Sequence, residues 1–362
     1  MMIPRTRGKS ASAMAKLPGL DSRGRSGTVA PYMSSLFVFD PLGHAFSRRG
    51  RREPSARGSG SAQNRSDLTV HRPVLVDEVI EGLAPAEGAV LVDGTVGAGG
   101  HAALLARRVA PSGRVIALDR DPAMLDLARQ TTAGLPVTLV HAPYSALETV
   151  LGDLGIEQVS GVLLDLGLSS DQLAWHHRGF SFMADGPLDM RFDPTSAGPT
   201  AADELASLSE DRLAQAFFDY GEERFSRRIA RRIVETRKKE PIQTTRQLAE
   251  LVRQSVPGRF RHGPIDPATR VFQALRILVN DELGHLDAAL RSLPEMVAPG
   301  GRAAIISFHS LEDRRVKWAF RNDPRWNVIS KKPVTATAQE VAVNPRARSA
   351  KLRVAERCPN TT

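Results

Sequence analysis

From residue 71 onward, short apolar runs alternate with stretches of helical spacing. "AVLVD" (89–93), "GRVIALD" (113–119), "VTLVHA" (137–142) and "SGVLLDLG" (160–167) are near-continuous apolar runs, and the first, second and fourth carry an acid at or near their ends. Between them, "HAALLARRVA" (101–110), "DPAMLDLARQ" (121–130) and "SALETVLGDLG" (145–155) place apolar residues at helical intervals. Asp121 followed by Pro122 is a helix start, with a capping carboxylate and proline at the first helical position. Gly155 supplies a helix stop. Strands that are apolar on both faces belong to a parallel sheet covered by helices on each side. The fold class is therefore α/β, Rossmann-like.

The alternation stops after residue 171. "ADELASLSEDRLAQAFFDYG", "RFSRRIARRIVETRKK" and "TTRQLAELVRQSV" are helical, and no buried strand is evident in 172–266. "ATRVFQALRILVNDELGHLDAALRSLPEMV" predicts one or two long amphipathic helices, after which "PGGRAAIISFHS" (299–310) returns to an apolar strand. The simplest organisation is an α/β domain in two parts, 71–171 and 267–362, with an all-helical insertion at 172–266.

Residues 1–70 differ in kind. They hold 24 Gly, Pro and Ser with no sustained period, which reads as a disordered basic extension. They also carry 12 Lys/Arg against 4 Asp/Glu, leaving 37 against 36 for the rest of the chain. The net charge of +9 thus resides mostly in the extension, and bulk charge says nothing about nucleic-acid binding by the folded part. An Arg- and Ser-rich, acid-poor start is also how an organelle transit peptide looks, and a start codon placed too early would give the same pattern. Without that reading, the expected location is the cytoplasm. The single cysteine, Cys358, excludes an internal disulfide and a thiolate metal cluster, and no metal site is expected. No apolar run approaches the 18 or so residues of a membrane span.

The chemistry concentrates in "LVDGTVGAGGH" (91–101). Gly97, Gly99 and Ala102 fit G-x-G-x-x-G/A, and Asp119 lies 20 residues beyond Gly99, the spacing of a dinucleotide fingerprint. A nicotinamide enzyme is one reading. Against it, Asp93 stands at the tip of the first strand, where a carboxylate would repel a pyrophosphate. Asp165 ends the fourth strand, across the expected switch point. Three acids converging on one crevice suit a cationic, amine-bearing, phosphate-free ligand such as S-adenosylmethionine, with Asp119 accepting from ribose hydroxyls.

Further motifs follow in order: "HRPVLVDEV" (71–79), "DGTVGAGGH" (93–101), "LDRDP" (118–122), "GVLLDLGLSSDQL" (161–173), "RGFSF" (178–182), "GPLDMRFD" (186–193), "YGEERF" (220–225), "PATRVFQALRILVNDEL" (267–283), "PGGRAAIISFHSLEDRRVK" (299–317) and "NPRARSAKLRVAER" (344–357). On these motifs, residues 71 to about 357 closely resemble the bacterial 16S ribosomal RNA cytosine-N4 methyltransferase family. The resemblance implies an S-adenosylmethionine-dependent enzyme acting on cytidine 1402 of the small ribosomal subunit, in the decoding centre. It also implies cofactor contacts at Gly99, Gly100, His101, Asp119, Tyr144 (beside the adenine), Asp165 and Gln172, with Asp93 as a further candidate. The extension has no counterpart in the family, and a shorter stretch separates "RWNVISKKP" from "NPRARS" than in some members.

Asp165 is the first candidate for the acceptor beside the reacting amine, although it could serve the cofactor alone. The D/N-P-P-Y/F motif of many amino-methyltransferases is absent, since the strand reads "DLGL". Ser307, His309, Ser310 and Asp313 do not make a hydrolase triad, because no G-x-S-x-G elbow exists. His309 is either a pocket catalyst or a structural histidine. Eight basic residues crowd 224–239, of which Arg224, Arg228, Arg231 and Lys238 roughly share a helix face and form a candidate phosphate track. Arg346 and Arg348, with Lys351 and Arg353, form a second. A non-catalytic RNA-binding protein is the remaining alternative, and the intact cofactor motifs weigh against it. The sequence leaves monomer or homodimer open.

Overall fold

The computed structural model describes residues 72–261, 263 and 265–359. The reading of residues 1–70 lies outside them. Seven strands form one sheet: β1 (Val90–Asp93), β2 (Arg114–Asp119), β3 (Val137–His141), β4 (Val159–Asp165), β5 (Val297–Ser307), β6 (Trp326–Val328) and β7 (Lys351–Arg357). Their order is β3-β2-β1-β4-β5-β7-β6. The first five strands are parallel, whereas β7 runs antiparallel between β5 and β6. The chain moves outward from β1 to β3 and then returns to β4 on the other side of β1. That reversal opens a crevice at the carboxyl ends of β1 and β4.

Thirteen α-helices accompany the sheet among the described residues: α1 (Val76–Leu83), α2 (Gly100–Val109), α3 (Pro122–Thr131), α4 (Leu147–Asp153), α5 (Ser170–Ala174), α6 (Ala201–Ser207), α7 (Glu210–Asp219), α8 (Ser226–Arg237), α9 (Thr245–Ser255), α10 (Pro267–Asn280), α11 (Glu282–Met296), α12 (Ser310–Asn322) and α13 (Ala338–Val343). None of them is long and apolar enough to cross a membrane.

Alternate strand residues face opposite layers, as the pleat requires. Val92, Ile116, Val162 and Ile305 pack with Leu151 of α4, Leu290 of α11 and Phe320 of α12. Leu91, Val115, Leu163 and Ile306 pack with Val79 of α1, Leu105 of α2 and Leu125 of α3. This two-sided burial is why the strands carry no polar alternation. A separate apolar core joins α6 to α9 through Leu205, Phe217, Ile229, Ile233 and Leu248. The same core takes in Val271 and Leu275 of α10, so its packing runs past residue 266.

Local chemistry sets several boundaries. Asp121 accepts from the Ala123 N–H with Pro122 behind it, which starts α3. Thr200, Thr244 and Ser169 head capping boxes for α6, α9 and α5. The long helical stretch at 267–296 is two helices, divided at Asp281 by a left-handed φ of 46°. The apolar segment at 201–219 is likewise split, because Ser209 caps α7 directly after α6 ends.

The main difference from the sequence reading lies at the C-terminus. "KLRVAER" is not a surface basic track but β7, with neighbours on both sides. Arg353 is 6 % exposed, and its Nε donates to Asp313 at 2.6 Å. Lys351 lies 3.7 Å from the same carboxylate. Pairing with β5 internalised Arg353 while Lys351 stays half-exposed, a distinction that their spacing does not reveal.

Candidate active site

The crevice at the switch point is a cavity of about 840 Å³, open solvent included, lined on one side by the loop between β1 and α2 and on the other by the residues after β4. The loop turns tightly because the Gly94 N–H donates to the Leu163 carbonyl and the Val96 N–H to the Leu118 carbonyl. A side chain at Gly94 would place its Cβ 2.5 Å from Leu164 Cδ2 and 3.0 Å from Tyr144 Cβ. Glycine is therefore required here for the loop to lie against β4.

Of the residues expected at the cofactor, Gly100, His101, Asp119, Tyr144, Asp165 and Gln172 line this cavity. Asp119 is held rigidly, since its carboxylate accepts from the Gly97 N–H at 2.9 Å and the Asp121 N–H at 2.9 Å. Burial raises its pKa to about 6, against those two hydrogen bonds. Asp165 ends β4 with its Oδ2 3.7 Å from His101 Nδ1, while its Oδ1 is buried with no hydrogen-bond partner. Burial pushes its pKa up, opposed by His101 and Arg346. The His101 ring is anchored from behind, with Nε2 donating to the Val74 carbonyl at 2.9 Å.

Gln172 has two internal tasks. Its Oε1 accepts from the Ser169 N–H, closing the α5 capping box, and its Nε2 donates to Asp121 Oδ2 at 2.8 Å. Tyr144 reaches across the cavity, its hydroxyl 3.4 Å from the Glu282 carbonyl. Burial pushes that hydroxyl's pKa up.

Several candidates sit elsewhere. Asp93 is 1 % exposed and lies behind the loop rather than in the cavity wall, with Oδ1 accepting from the Thr95 N–H. Burial raises its pKa to about 7. Gly99 is also outside the wall and acts as the left-handed residue before α2, at φ 89°. His309 is the N-cap of α12, accepting from the Glu312 N–H, and does not line the cavity. Arg346 lies in the cavity wall, donating to Ser170 Oγ at 3.0 Å. Arg348 is exposed, as are Arg224, Arg228, Arg231 and Lys238. Arg231 approaches Glu210 at 3.4 Å, and Arg224 is laid over the Phe260 ring.

Residues not singled out by sequence complete the wall: Arg120, Phe192, Glu282 and Glu312. The signal for Glu312 was present, since His309-x-x-Glu312 has capping-box spacing. Its carboxylate accepts from the Phe308 N–H at 2.9 Å and lies 3.2 Å from His309 Nε2. Burial would raise its pKa, but His309, Arg276 and the Phe308 N–H outweigh that and hold it below the ordinary value. Glu282, His309 and Glu312 bring three possible metal-ligand atoms within 4.8 Å of one another. Arg276 grips both oxygens of Glu282, at 2.7 and 2.9 Å, so a guanidinium already compensates that charge.

Four carboxylates thus line a cavity whose lining cations among the described residues are Arg120, Arg346 and, when protonated, His101. A pyrophosphate would find carboxylates at the strand tips, whereas a sulfonium, an amino group and ribose hydroxyls find acceptors. The orphan Oδ1 of Asp165 is one such acceptor. With β7 reversed between β5 and β6, the fold and cavity are those of S-adenosylmethionine-dependent methyltransferases.

More closely, the chain belongs to the MraW methylase family, whose sequence profile matches residues 68–358. It is 50 % identical over 307 residues to the ribosomal RNA small subunit methyltransferase H of Syntrophotalea carbinolica, an alignment covering 79 % of this chain and 98 % of the relative. It is 48 % identical over 307 residues to the protein of the same name from Thioalkalivibrio sulfidiphilus, covering 79 % and 97 %. Among solved structures, an rRNA methylase from Streptococcus thermophilus matches with a TM-score of 0.37 and 13 % identity, covering 78 % of this chain and 93 % of that one.

Proposed function

We propose that the protein transfers a methyl group from S-adenosylmethionine to the exocyclic N4 of cytidine 1402 in 16S ribosomal RNA of the small subunit, in the bacterial cytoplasm. The observation that carries this reading is the match to the MraW methylase family over residues 68–358, and the buried, unpartnered Oδ1 of Asp165 in the cavity supports the chemistry. Bound S-adenosylmethionine supplies an electrophilic methyl group on a sulfonium. Asp119, locked by two backbone N–H groups, offers its carboxylate to ribose hydroxyls. Tyr144 closes the wall beside the adenine. Gly100 and His101, at the start of α2, present the helix N-terminus to the carboxylate of the methionine moiety.

The N4 amine of cytosine is conjugated with its ring and is a weak nucleophile. Orientation of its lone pair towards the methyl group supplies most of the rate gain. Asp165 accepts an N4–H hydrogen bond, which favours a pyramidal nitrogen, and takes the proton once the N–C bond has formed. Burial raises its pKa, which makes it a stronger proton acceptor than an exposed carboxylate. The target base is unstacked from its neighbours to enter the cavity. The helices α6 to α9 and their basic face, with Arg224, Arg228, Arg231 and Lys238, form the RNA-recognition part, tracking phosphates.

The test is transfer of labelled methyl to small ribosomal subunits that lack the modification, followed by nucleoside analysis. Label in N4-methylcytidine is the expected result. Label in another nucleoside, or none despite tight cofactor binding, overturns the assignment. Asp165→Asn is expected to lower turnover at least a hundredfold, on the scale of general-base loss. Normal turnover and normal cofactor affinity together would remove both roles from Asp165.

A further inference from the structure

Phe218, near the end of α7, is 60 % exposed, while its neighbour Phe217 is wholly buried in the helical core. Phe218 is not an isolated apolar side chain. It lines a hollow together with Asp211, Ala214 and Gln215 of α7 and with residues 224–228 at the start of α8, where three arginines stand against the one carboxylate. Arg224 is fixed in place, its guanidinium 3.7 Å from the Phe260 ring centroid and 4.8 Å from that of Phe225. Arg227 and Arg228 are exposed and make no carboxylate pair among the described residues. An aromatic face beside a line of unpaired cations is what successive nucleotides of a single strand require: the ring takes a base and the cations take phosphates. A duplex cannot use such a hollow, because its base faces are covered by stacking.

The turn beside the hollow is tied to the helix that borders the active site. Glu222, in the turn between α7 and α8, accepts from Ser310 Oγ at 2.8 Å and approaches Arg314 Nη2 at 3.4 Å. Ser310 is the first residue of α12, whose Glu312 lines the catalytic cavity.

Resting on the proposed function, we infer that the Phe218 hollow binds one unpaired base of single-stranded RNA flanking the methylated nucleotide, by stacking on Phe218, with Arg227 and Arg228 on the adjoining phosphates. This contact draws on binding energy remote from the reacting atoms and holds the strand in register while the target base is turned in.

The experiment measures the affinity of the full chain for a short single-stranded pyrimidine RNA by fluorescence anisotropy, with the same sequence as a duplex for comparison. Phe218→Ala is expected to weaken single-strand binding about tenfold, the scale of one lost stacking contact. Phe218→Trp, which keeps a stacking face, is expected to restore it, and S-adenosylmethionine affinity is expected to be the same in all three proteins. Equal single-strand affinity for wild type and Phe218→Ala overturns the inference. So does a change confined to self-association in sedimentation, which would make the occupant a second copy of the chain. Absence of methyl transfer to subunits by the wild type would overturn the assigned reaction, while the oligonucleotide affinities still decide on the hollow.

Discussion

Arg178 and Asp121 form an ion pair at 2.9 Å with side-chain exposures of 5 % and 0 %. Asp121 is the N-cap of α3, directly after the cofactor-facing end of β2, and it also holds Gln172. Arg178 in turn donates to the carbonyls of Arg191 and Phe192 at 3.0 and 2.8 Å. One buried pair therefore ties the sheet, the α5 turn and the loop that enters the helical core.

Removing one member of such a pair leaves a buried charge uncompensated. Arg178→Met is expected to destabilise the fold by about 3–5 kcal/mol. It should also weaken cofactor binding, because Gln172 and Phe192 stand in the cavity wall. Urea unfolding and calorimetric titration check the two effects, and a loss below about 1 kcal/mol would mean the pair is structurally idle.

Gly94→Ala separates loop geometry from stability. Its Cβ would meet Leu164 and Tyr144, and Tyr144 lines the cavity. The expected outcome is at least a tenfold loss of S-adenosylmethionine affinity with a destabilisation of about 1–3 kcal/mol, typical of overpacking. Unchanged affinity in an equally stable variant would show that the loop has room to shift.

The acids near the loop make cofactor affinity depend on pH. Burial raises the pKa of Asp119 to about 6 and that of Asp93 to about 7. In the free protein both hold protons that the unfolded chain releases near the ordinary carboxylate value. Their contribution to stability is therefore greatest in acid and falls as pH rises through 4 to 7, roughly. A cationic ligand favours the ionised carboxylates, so binding releases protons and affinity climbs from about pH 5 to about pH 7 before levelling. Titration calorimetry in two buffers of different ionisation enthalpy reads the proton count directly; proton uptake on binding would reverse the sign and refute the account.

Phe217 and Phe218 give a matched comparison on one helix. Phe217 is 0 % exposed, and Phe217→Ala is expected to cost about 3–5 kcal/mol. Phe218→Ala is expected to stay within about 0.5 kcal/mol, as surface changes do. Equal losses at the two positions would place Phe218 in the packing of the core rather than on a binding surface.

Much of this architecture was written locally. The strand–helix alternation is read from apolar runs because strands covered on both faces need no polar side. The glycine loop, Asp119 and Asp165 are legible because a ligand at the carboxyl ends of parallel strands must meet the residues directly after them. Tertiary structure alone decided the rest. Arg346 enters the cavity, and Arg353 is internal, because β7 inserts antiparallel beside β5, an event of long-range pairing that no local period encodes. Asp93 falls behind the loop rather than in the wall because it pairs with Ala117 and Leu163, two residues short of Asp119 and Asp165, and so lies deeper on the same face of the sheet. Whether a carboxylate at a strand tip meets the ligand or the core depends on the register and twist of the whole sheet, which the chain acquires only by closing its distant contacts.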